Sequence, residues 1–175
     1  MKKHLVAFAA IVLLAGGCAS SMTSDIKVET DSDPKANLAG YRSYAWLGSA
    51  AIVFDDKGRW EPPQFDADAE IKFLIDRELR ARGMTETSVN PDLVVAYAAG
   101  IDMDSMDIKT DPDSGLEVLT EAPAGALTVV LVDADTGLAV WVGVATADIH
   151  ENPTPETTRK RLDFAVSKMF DRLHK

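Results

Sequence analysis

The chain has 175 residues, of which 46% are hydrophobic, and its formal net charge is −10 with histidine counted as neutral. This length suits a single domain with a substantial core, and the acidic excess argues against a surface that binds nucleic acid or adheres broadly to anionic lipid. Because there is only one cysteine, no intramolecular disulfide can form, and the apolar core must stabilise the domain.

The first 17 residues have the pattern of a bacterial lipoprotein signal peptide. Two lysines precede an apolar run at residues 5–15, and small residues then lead to Cys18, the single cysteine. The run is too short for a transmembrane helix, which needs about 20 apolar residues. We therefore expect residues 1–17 to be removed and lipid, including palmitate, to be attached to Cys18.

An ordinary secretory signal is the alternative, because Ala15 stands where the lipoprotein pattern has a leucine-like residue. Cleavage after the small triplet 17–19 would then release a soluble periplasmic protein. In the lipoprotein interpretation, the residue after the cysteine is Ala19, not the aspartate that retains many Gram-negative lipoproteins at the inner membrane. That interpretation predicts an outer-membrane lipoprotein with residues 18–25 as a tether and its domain facing the periplasm.

The predicted domain spans residues 26–175 and begins with two strands. Residues 26–30 alternate apolar and polar side chains, and residues 41–46 are aromatic with a period near two. The irregular stretch 48–65 suggests a small hairpin at 52–58. Because it is the longest irregular stretch, it is also the best candidate for a binding loop.

A helix and a third strand follow. Asp66 can cap the helix and Gly83 can end it, with the apolar residues Ile71, Leu74, Ile75 and Leu79 at helical spacing. Residues 93–97 form an apolar run that predicts a strand. Residues 102–123 are rich in Asp, Pro, Ser and Gly, and we expect a mobile excursion between strands.

The last third of the chain predicts a hairpin and a helix. Residues 127–132 and 138–144 flank a turn with glycine, and both faces of this hairpin are apolar, which indicates a central position in the sheet. Thr154 can cap the final helix, whose apolar stripe is Leu162, Ala165, Val166, Met169 and Leu173. The order β-β-α-β-β-β-α predicts an α+β fold with a mainly antiparallel sheet of about five strands and both helices on one face.

Four features occur in order along the domain: the aromatic strand 41–46, the helix end 79–83, the strand 91–97, and the hairpin positions Gly125, Leu127, Val129, Asp133, Thr136, Val140, Trp141 and Gly143. Together they resemble the bacterial lipoproteins of domain-of-unknown-function family 4136, from about residue 26 onward. The resemblance implies a cell-envelope lipoprotein domain of mixed α and β structure and brings no catalytic residues with it.

Residues that commonly carry chemistry are scarce. His4 belongs to the signal, His174 is next to last, and His150 follows the hairpin, while no HExxH or G-x-S-x-G motif occurs. We therefore expect no catalytic residue, no metal ligand and no cofactor, and we interpret His150 as a polar residue at a strand end.

Calcium binding is a hypothesis for the segment 102–123, which contains Asp102, Asp104, Asp107, Asp111 and Asp113. The EF-hand pattern fails there, and a solvated acidic loop is the favoured alternative. Asp133 and Asp135 also resemble half of a calcium loop, but a turn explains them better, because aspartate side chains accept hydrogen bonds from turn amides.

The final helix is basic at Arg159, Lys160 and Arg161. One hypothesis is contact with lipid headgroups or an anionic envelope polymer, and the favoured alternative is pairing with the protein's own acidic loops. Among the tryptophans, Trp46 and Trp141 lie in predicted strands and belong to the core. Trp60 lies in the irregular stretch, where it either covers a pocket or plugs the end of the sheet.

These features predict a non-catalytic binding or scaffolding domain. Its expected partners are the membrane, through the lipid on Cys18, and an envelope protein or small ligand, but not nucleic acid. The alternative is an envelope enzyme that uses carboxylates of the acidic loops, which requires pKa values shifted by burial or proximity. An enclosed pocket that holds two carboxylates would favour the enzyme.

Overall fold

The computed structural model describes residues 22–110, 112, 115–150 and 153–173. Cys18 and the predicted signal peptide lie outside the described residues. Two α-helices and eight strands occur in these ranges, together with a short 3-10 helix at Leu38–Gly40. Their bounds are β1 Lys27–Ser32, β2 Ser43–Phe54, α1 Ala67–Ala81, β3 Thr85–Glu86, β4 Leu93–Asp102, β5 Met106–Thr110, β6 Glu117–Glu121, β7 Ala124–Asp133, β8 Ala139–Asp148 and α2 Pro155–Asp171.

Six strands form one sheet in the order β1-β8-β7-β4-β2-β3, and β5 pairs with β6 in a separate two-stranded sheet. The pairs β1–β8, β8–β7 and β7–β4 are antiparallel, whereas β2 runs parallel to both β4 and β3. The α+β class is therefore confirmed, but the sheet is mixed and has more strands than predicted. The parallel pair arises because α1 carries the chain from the end of β2 back to the start of β4.

Two sequence predictions for strands are wrong. The predicted hairpin at 52–58 does not form, because β2 continues to Phe54 and pairs with β4 as far as Asp102. The acidic segment 102–123 was expected to be a mobile excursion between strands, but it contains the β5–β6 hairpin, in which Ile108 lies opposite Leu119. Most side chains on these strands are exposed, so the sequence lacks the alternation that marks a half-buried strand.

The hairpin of β7 and β8 is confirmed, and both strands lie inside the sheet. Its turn depends on Asp133, whose Oδ1 accepts hydrogen bonds at 2.8 Å from the backbone N and from the Oγ1 of Thr136. Gly137 has φ +70°, a left-handed conformation that glycine adopts without steric cost. The predicted turn therefore accounts for the position of Asp133.

Both predicted helix starts are confirmed. Asp66 Oδ1 accepts a hydrogen bond from the backbone N of Ala69 at 3.0 Å, and Thr154 Oγ1 accepts one from Thr157 at 3.1 Å. Each cap satisfies a backbone N–H that has no partner within its helix. The predicted apolar stripes are buried at Ile71, Leu74, Ile75, Leu79, Ala165, Val166, Met169 and Leu173.

The two helices pack side by side on one face of the six-stranded sheet, as predicted. On that face Leu93 and Val95 of β4 and Val129 and Leu131 of β7 are fully buried. Their neighbours in sequence point to the opposite face, because side chains alternate along a strand. None of the helices in the described ranges is long and apolar enough to cross a membrane.

A charged cluster joins the helices. Glu78 of α1 accepts hydrogen bonds from Arg77 at 2.8 Å, from Arg82 at 3.0 Å and from Ser167 of α2 at 3.1 Å. Arg82 also donates to the carbonyl oxygen of Phe170 at 2.6 Å. Burial raises the pKa of the Glu78 carboxyl, but these hydrogen bonds outweigh burial and hold the pKa below its usual value. The cluster therefore fixes α1 against α2.

Candidate binding cleft

A cavity of about 310 Å³ lies where β2, β4 and β8 end and β7 begins. We call it the apolar cleft, because most of its lining is aliphatic. Its walls come from the sheet and from the helices α1 and α2. The other lining residues include Trp60, Glu61, Pro63, Ile149, His150 and Pro153. This volume lies at the lower end of the range of small-molecule sites, which is about 300–1,000 Å³.

Small residues on the helix side of the sheet make this space. In β4, Tyr97 is followed on the same face by Ala99, and in β8 Trp141 is followed by Ala145 and Ala147. Tyr97 and Trp141 fill the core between the sheet and the helices, where they are 5% and 1% exposed. The alanines beyond them leave room that larger side chains would occupy.

Trp60 lies at the cleft, on the loop that follows β2. Its backbone N donates to Asp55 Oδ2 at 2.6 Å, and its side chain is half-buried in the lining. The neighbouring Arg59 fixes the loop, because its guanidinium donates at 2.7 Å to both Asp104 and Glu121. The predicted binding loop thus contributes to the cleft. Trp141 lies in the core, as expected, and Trp46 is partly buried and packs against the core.

One rim of the cleft is polar. Arg161 of α2 donates to both carboxylate oxygens of Asp25, at 2.8 and 2.5 Å, and to the carbonyl oxygens of Met22 at 2.5 Å and Asp148 at 3.0 Å. The hydrogen bonds from Arg161 lower the pKa of Asp25 to about 2, although burial opposes the shift. Arg161 therefore fastens the described part of the predicted tether, residues 22–25, beside the cleft.

His150 lies on the same rim, two residues after the end of β8. Its Nε2 is 3.9 Å from Asp25 Oδ2, and the side chain is 43% exposed. The sequence indicated a polar residue at a strand end, and the structure agrees on that position. It also brings His150 to the cleft, which the sequence did not suggest.

The family model described as "Domain of unknown function (DUF4136)" matches residues 28–173. This chain belongs to the DUF4136 family. The match confirms the family resemblance from the sequence. Among curated proteins, no sequence matches the chain.

Two solved structures with a TM-score above 0.5 share the fold. A DUF4136 family protein from Bacteroides thetaiotaomicron is 13% identical, with 85% of this chain and 96% of that chain covered and a TM-score of 0.55. A PDZ domain protein from Parabacteroides distasonis is 13% identical over 90% of this chain and 39% of that chain, with a TM-score of 0.51. The PelC dodecamer from Paraburkholderia phytofirmans is 17% identical over 82% of this chain and 97% of that chain, with a TM-score of 0.45.

In the acidic segment of this DUF4136 domain, the described aspartates either bond to nearby groups or are exposed. Asp102 accepts a hydrogen bond from the backbone N of Asp104, and Asp104 binds Arg59. Asp107 is exposed, whereas Asp111 and Asp113 lie outside the described residues. Among the residues that the structure describes, no group of three or more His, Cys, Asp or Glu side chains is arranged to hold a metal ion.

The basic residues of α2 pair with groups of the DUF4136 domain itself. Arg159 Nε is 3.3 Å from Glu70 of α1, and its guanidinium lies over the Phe65 ring at 4.6 Å from the centroid. Lys160 pairs with Glu156 at 2.7 Å within the helix. Together with the Arg161 contacts, these pairs hold the basic residues to acidic groups of the same chain, but those groups lie on the helices and in the N-terminal segment and not in the acidic loops.

A second cavity, of about 320 Å³, lies at the opposite end of the DUF4136 domain, between the start of β2 and the end of α1. It contains two arginines that already bind backbone carbonyls. Arg42 donates to Ala39 at 2.7 Å, and Arg82 donates to Glu78 at 2.8 Å. The apolar cleft is the better candidate site, because it combines a largely aliphatic lining with a tryptophan and a polar group at one rim.

The sequence contained one signal for this site that the strand analysis did not use. At the end of β4, at the start of β7 and at the end of β8, large apolar residues give way to alanine and glycine, as in the runs 98–100 and 124–126. Such a change at the same end of neighbouring strands indicates a shallow core there. The Asp25–Arg161 pair offered no such signal, because its partners are 136 positions apart.

Proposed function

We propose that this protein is a lipid-anchored binding module of the cell envelope. The signal pattern supports an anchor of acyl chains, palmitate among them, on Cys18. Ala19 after the cysteine supports the outer membrane over the inner membrane, with the domain on the periplasmic side. Several acyl chains on one residue anchor stably, since each buried methylene contributes about 0.8 kcal/mol.

The apolar cleft carries the proposal that the domain acts by binding. Its aliphatic lining, its size and the nearby Trp60 suit an apolar small ligand. The carboxylates of the acidic segment support binding over catalysis. Lys57 and Arg59 lower the pKa of Glu121, which keeps that carboxyl ionised, whereas a general acid needs a raised pKa.

The surface charge bears on the remaining partners. An acidic excess repels nucleic acid, so we expect no nucleic-acid partner. An envelope protein remains a candidate partner beside the small ligand, because large apolar side chains are exposed at the cleft end of the sheet, including Phe54, Ile108 and Leu119.

Fractionation tests the anchor. The wild-type protein is expected in the outer-membrane fraction, and the Cys18→Ala protein is expected to leave it. A Cys18→Ser protein serves as a second variant that keeps a small polar side chain. If wild type and both variants are all soluble in the periplasm, the anchor proposal is wrong.

Titration with the neutral dye N-phenyl-1-naphthylamine tests the cleft. The mature protein is held in phosphatidylcholine vesicles, and energy transfer from Trp60 to the dye is measured, with Trp60→Phe as the background. Ala99→Phe places a ring in the cleft, whereas Ala98→Phe places the same ring on the helix-free face of the same strand. Transfer is expected to persist in Ala98→Phe and to fall in Ala99→Phe. Equal transfer in both would show that the cleft does not bind the dye.

A further inference from the structure

We propose that the apolar cleft takes a single fatty-acyl chain of a lipid drawn from the membrane to which the protein is anchored. This inference rests on the proposed function, in that it requires the anchor on Cys18 and a ligand-binding cleft. It adds the chemical class of the ligand and its source.

The position of the predicted tether supports a membrane source. Arg161 lines the cleft and holds the Met22 carbonyl oxygen at 2.5 Å, so the described chain begins beside the cleft. Cys18 is four residues before Met22. Four extended residues span at most about 14 Å, so an anchor on Cys18 keeps the rim within about that distance of the bilayer surface.

Exposed apolar side chains occur at the same end of the molecule. β2 ends at Phe54, whose side chain is 64% exposed, and Phe54 pairs with Asp102 at the end of β4. The β5–β6 hairpin starts four residues after Asp102 and carries the opposed pair Ile108 and Leu119, which are 62% and 66% exposed. An apolar surface at the membrane-facing end suits contact with the bilayer interface, where a lipid can exchange.

The lining selects the chain of a lipid over its headgroup. Aliphatic side chains and alanines form the floor and walls, and the cavity of about 310 Å³ is near the lower limit for ligand sites. That space suits one acyl chain better than two. The rim cation is already neutralised, because Arg161 donates to both oxygens of Asp25. An anionic headgroup would have to displace Asp25, so we assign the headgroup to the solvent or the bilayer interface.

Fluorescence quenching tests this assignment. The mature lipoprotein is placed in phosphatidylcholine vesicles that contain a lysophosphatidylcholine with a doxyl quencher near the methyl end of its chain. If the chain enters the cleft, the quencher comes close to Trp60. Quenching is expected in wild type and is expected to fall in Trp60→Phe, because Trp60 lines the cleft whereas Trp46 and Trp141 do not.

The variants Ala98→Phe and Ala99→Phe, which lie next to each other in β4, provide the control. A ring at Ala99 that displaces two methylenes of the ligand weakens binding about fifteenfold, since one buried methylene changes binding about fourfold. Ala98→Phe is expected to quench as wild type does. Circular dichroism and urea unfolding verify that both variants fold, and Ala147→Phe replaces Ala99→Phe if the latter does not.

The outcomes separate the inference from the proposed function. Equal quenching in Ala98→Phe and Ala99→Phe would overturn the inference. Binding of the naphthylamine dye without lysolipid quenching would also overturn it, while the binding function stands. If neither probe binds, both proposals are wrong. If quenching appears only in Cys18→Ala protein added to the same vesicles, the occupant is the protein's own acyl chain, and a membrane lipid as occupant is excluded.

Discussion

Replacement of Asp25 by asparagine removes the ion pair that fastens the N-terminal segment to α2. The carboxylate accepts two hydrogen bonds from Arg161 and one from the backbone N of Asp148 at 3.0 Å. Asparagine keeps the shape of the side chain but not its charge. The change therefore tests the ion pair with little loss of packing.

The magnitude follows from the lowered pKa. The hydrogen bonds from Arg161 lower the pKa of Asp25 from 3.8 to about 2. Each pKa unit corresponds to about 1.36 kcal/mol, so the upper limit is about 2.5 kcal/mol. The Asp25 side chain is 20% exposed, and Arg161 keeps its two carbonyl partners in the variant. We therefore expect Asp25→Asn to lower the free energy of unfolding at pH 7 by about 1–2 kcal/mol.

The pH dependence has a definite sign. Because the pKa of Asp25 is lower in the folded state, its contribution is complete above 3.8 and is lost as the pH falls toward 2. Urea unfolding followed by circular dichroism at pH 7, 4 and 2 measures the difference between wild type and Asp25→Asn, which should shrink with acidity. Glu156→Gln is the matched control, since Glu156 pairs with Lys160 but is 78% exposed. A difference that stays constant to pH 2, or one equal to that of Glu156→Gln, would refute the reasoning.

Two further predictions concern packing and the helix pair. Gly143→Ala should destabilise the domain by about 1–3 kcal/mol in urea unfolding, because a β-carbon there overlaps the Trp141 ring. Gly100→Ala is its control, since a β-carbon at Gly100 meets nothing closer than 4.0 Å, and equal losses would contradict the packing argument. Glu78→Gln should cost about 1–2 kcal/mol by thermal unfolding, because two arginines lose their shared charge. Asp163→Asn, at a more exposed partner of the same cluster, should cost less, and the reverse order would be inconsistent with the structure.

The elements that the sequence predicted correctly are those with a local signal. Asp66 and Thr154 accept hydrogen bonds from amides three residues ahead, so each cap is contained in a short stretch of sequence. The turn at Asp133 is equally local. The second half of β2 was missed because its exposed side chains carry no alternation, and its pairing with β4 depends on a strand about fifty residues later.

The site was predicted only in part, for the same reason. Trp60 was singled out because it is an aromatic residue in an irregular stretch, and the structure gives it a place in the cleft lining. The sequence alone could not choose between a pocket and a plug. Ala99 and Ala147 carry no chemical signal of their own, and their effect exists only where several strands end together.

The sequence by itself determined the class of fold, the family, both helices, the central hairpin and the expectation of a lipid on Cys18. Each of these depends on neighbours in the chain, through capping, periodicity or a short pattern. Only the tertiary structure decided the parallel pairing of β2 with β4, the apolar cleft and the contact between Asp25 and Arg161. These depend on which distant segments share the buried face of the sheet, and folding sets that by the burial of apolar area and not by local preference.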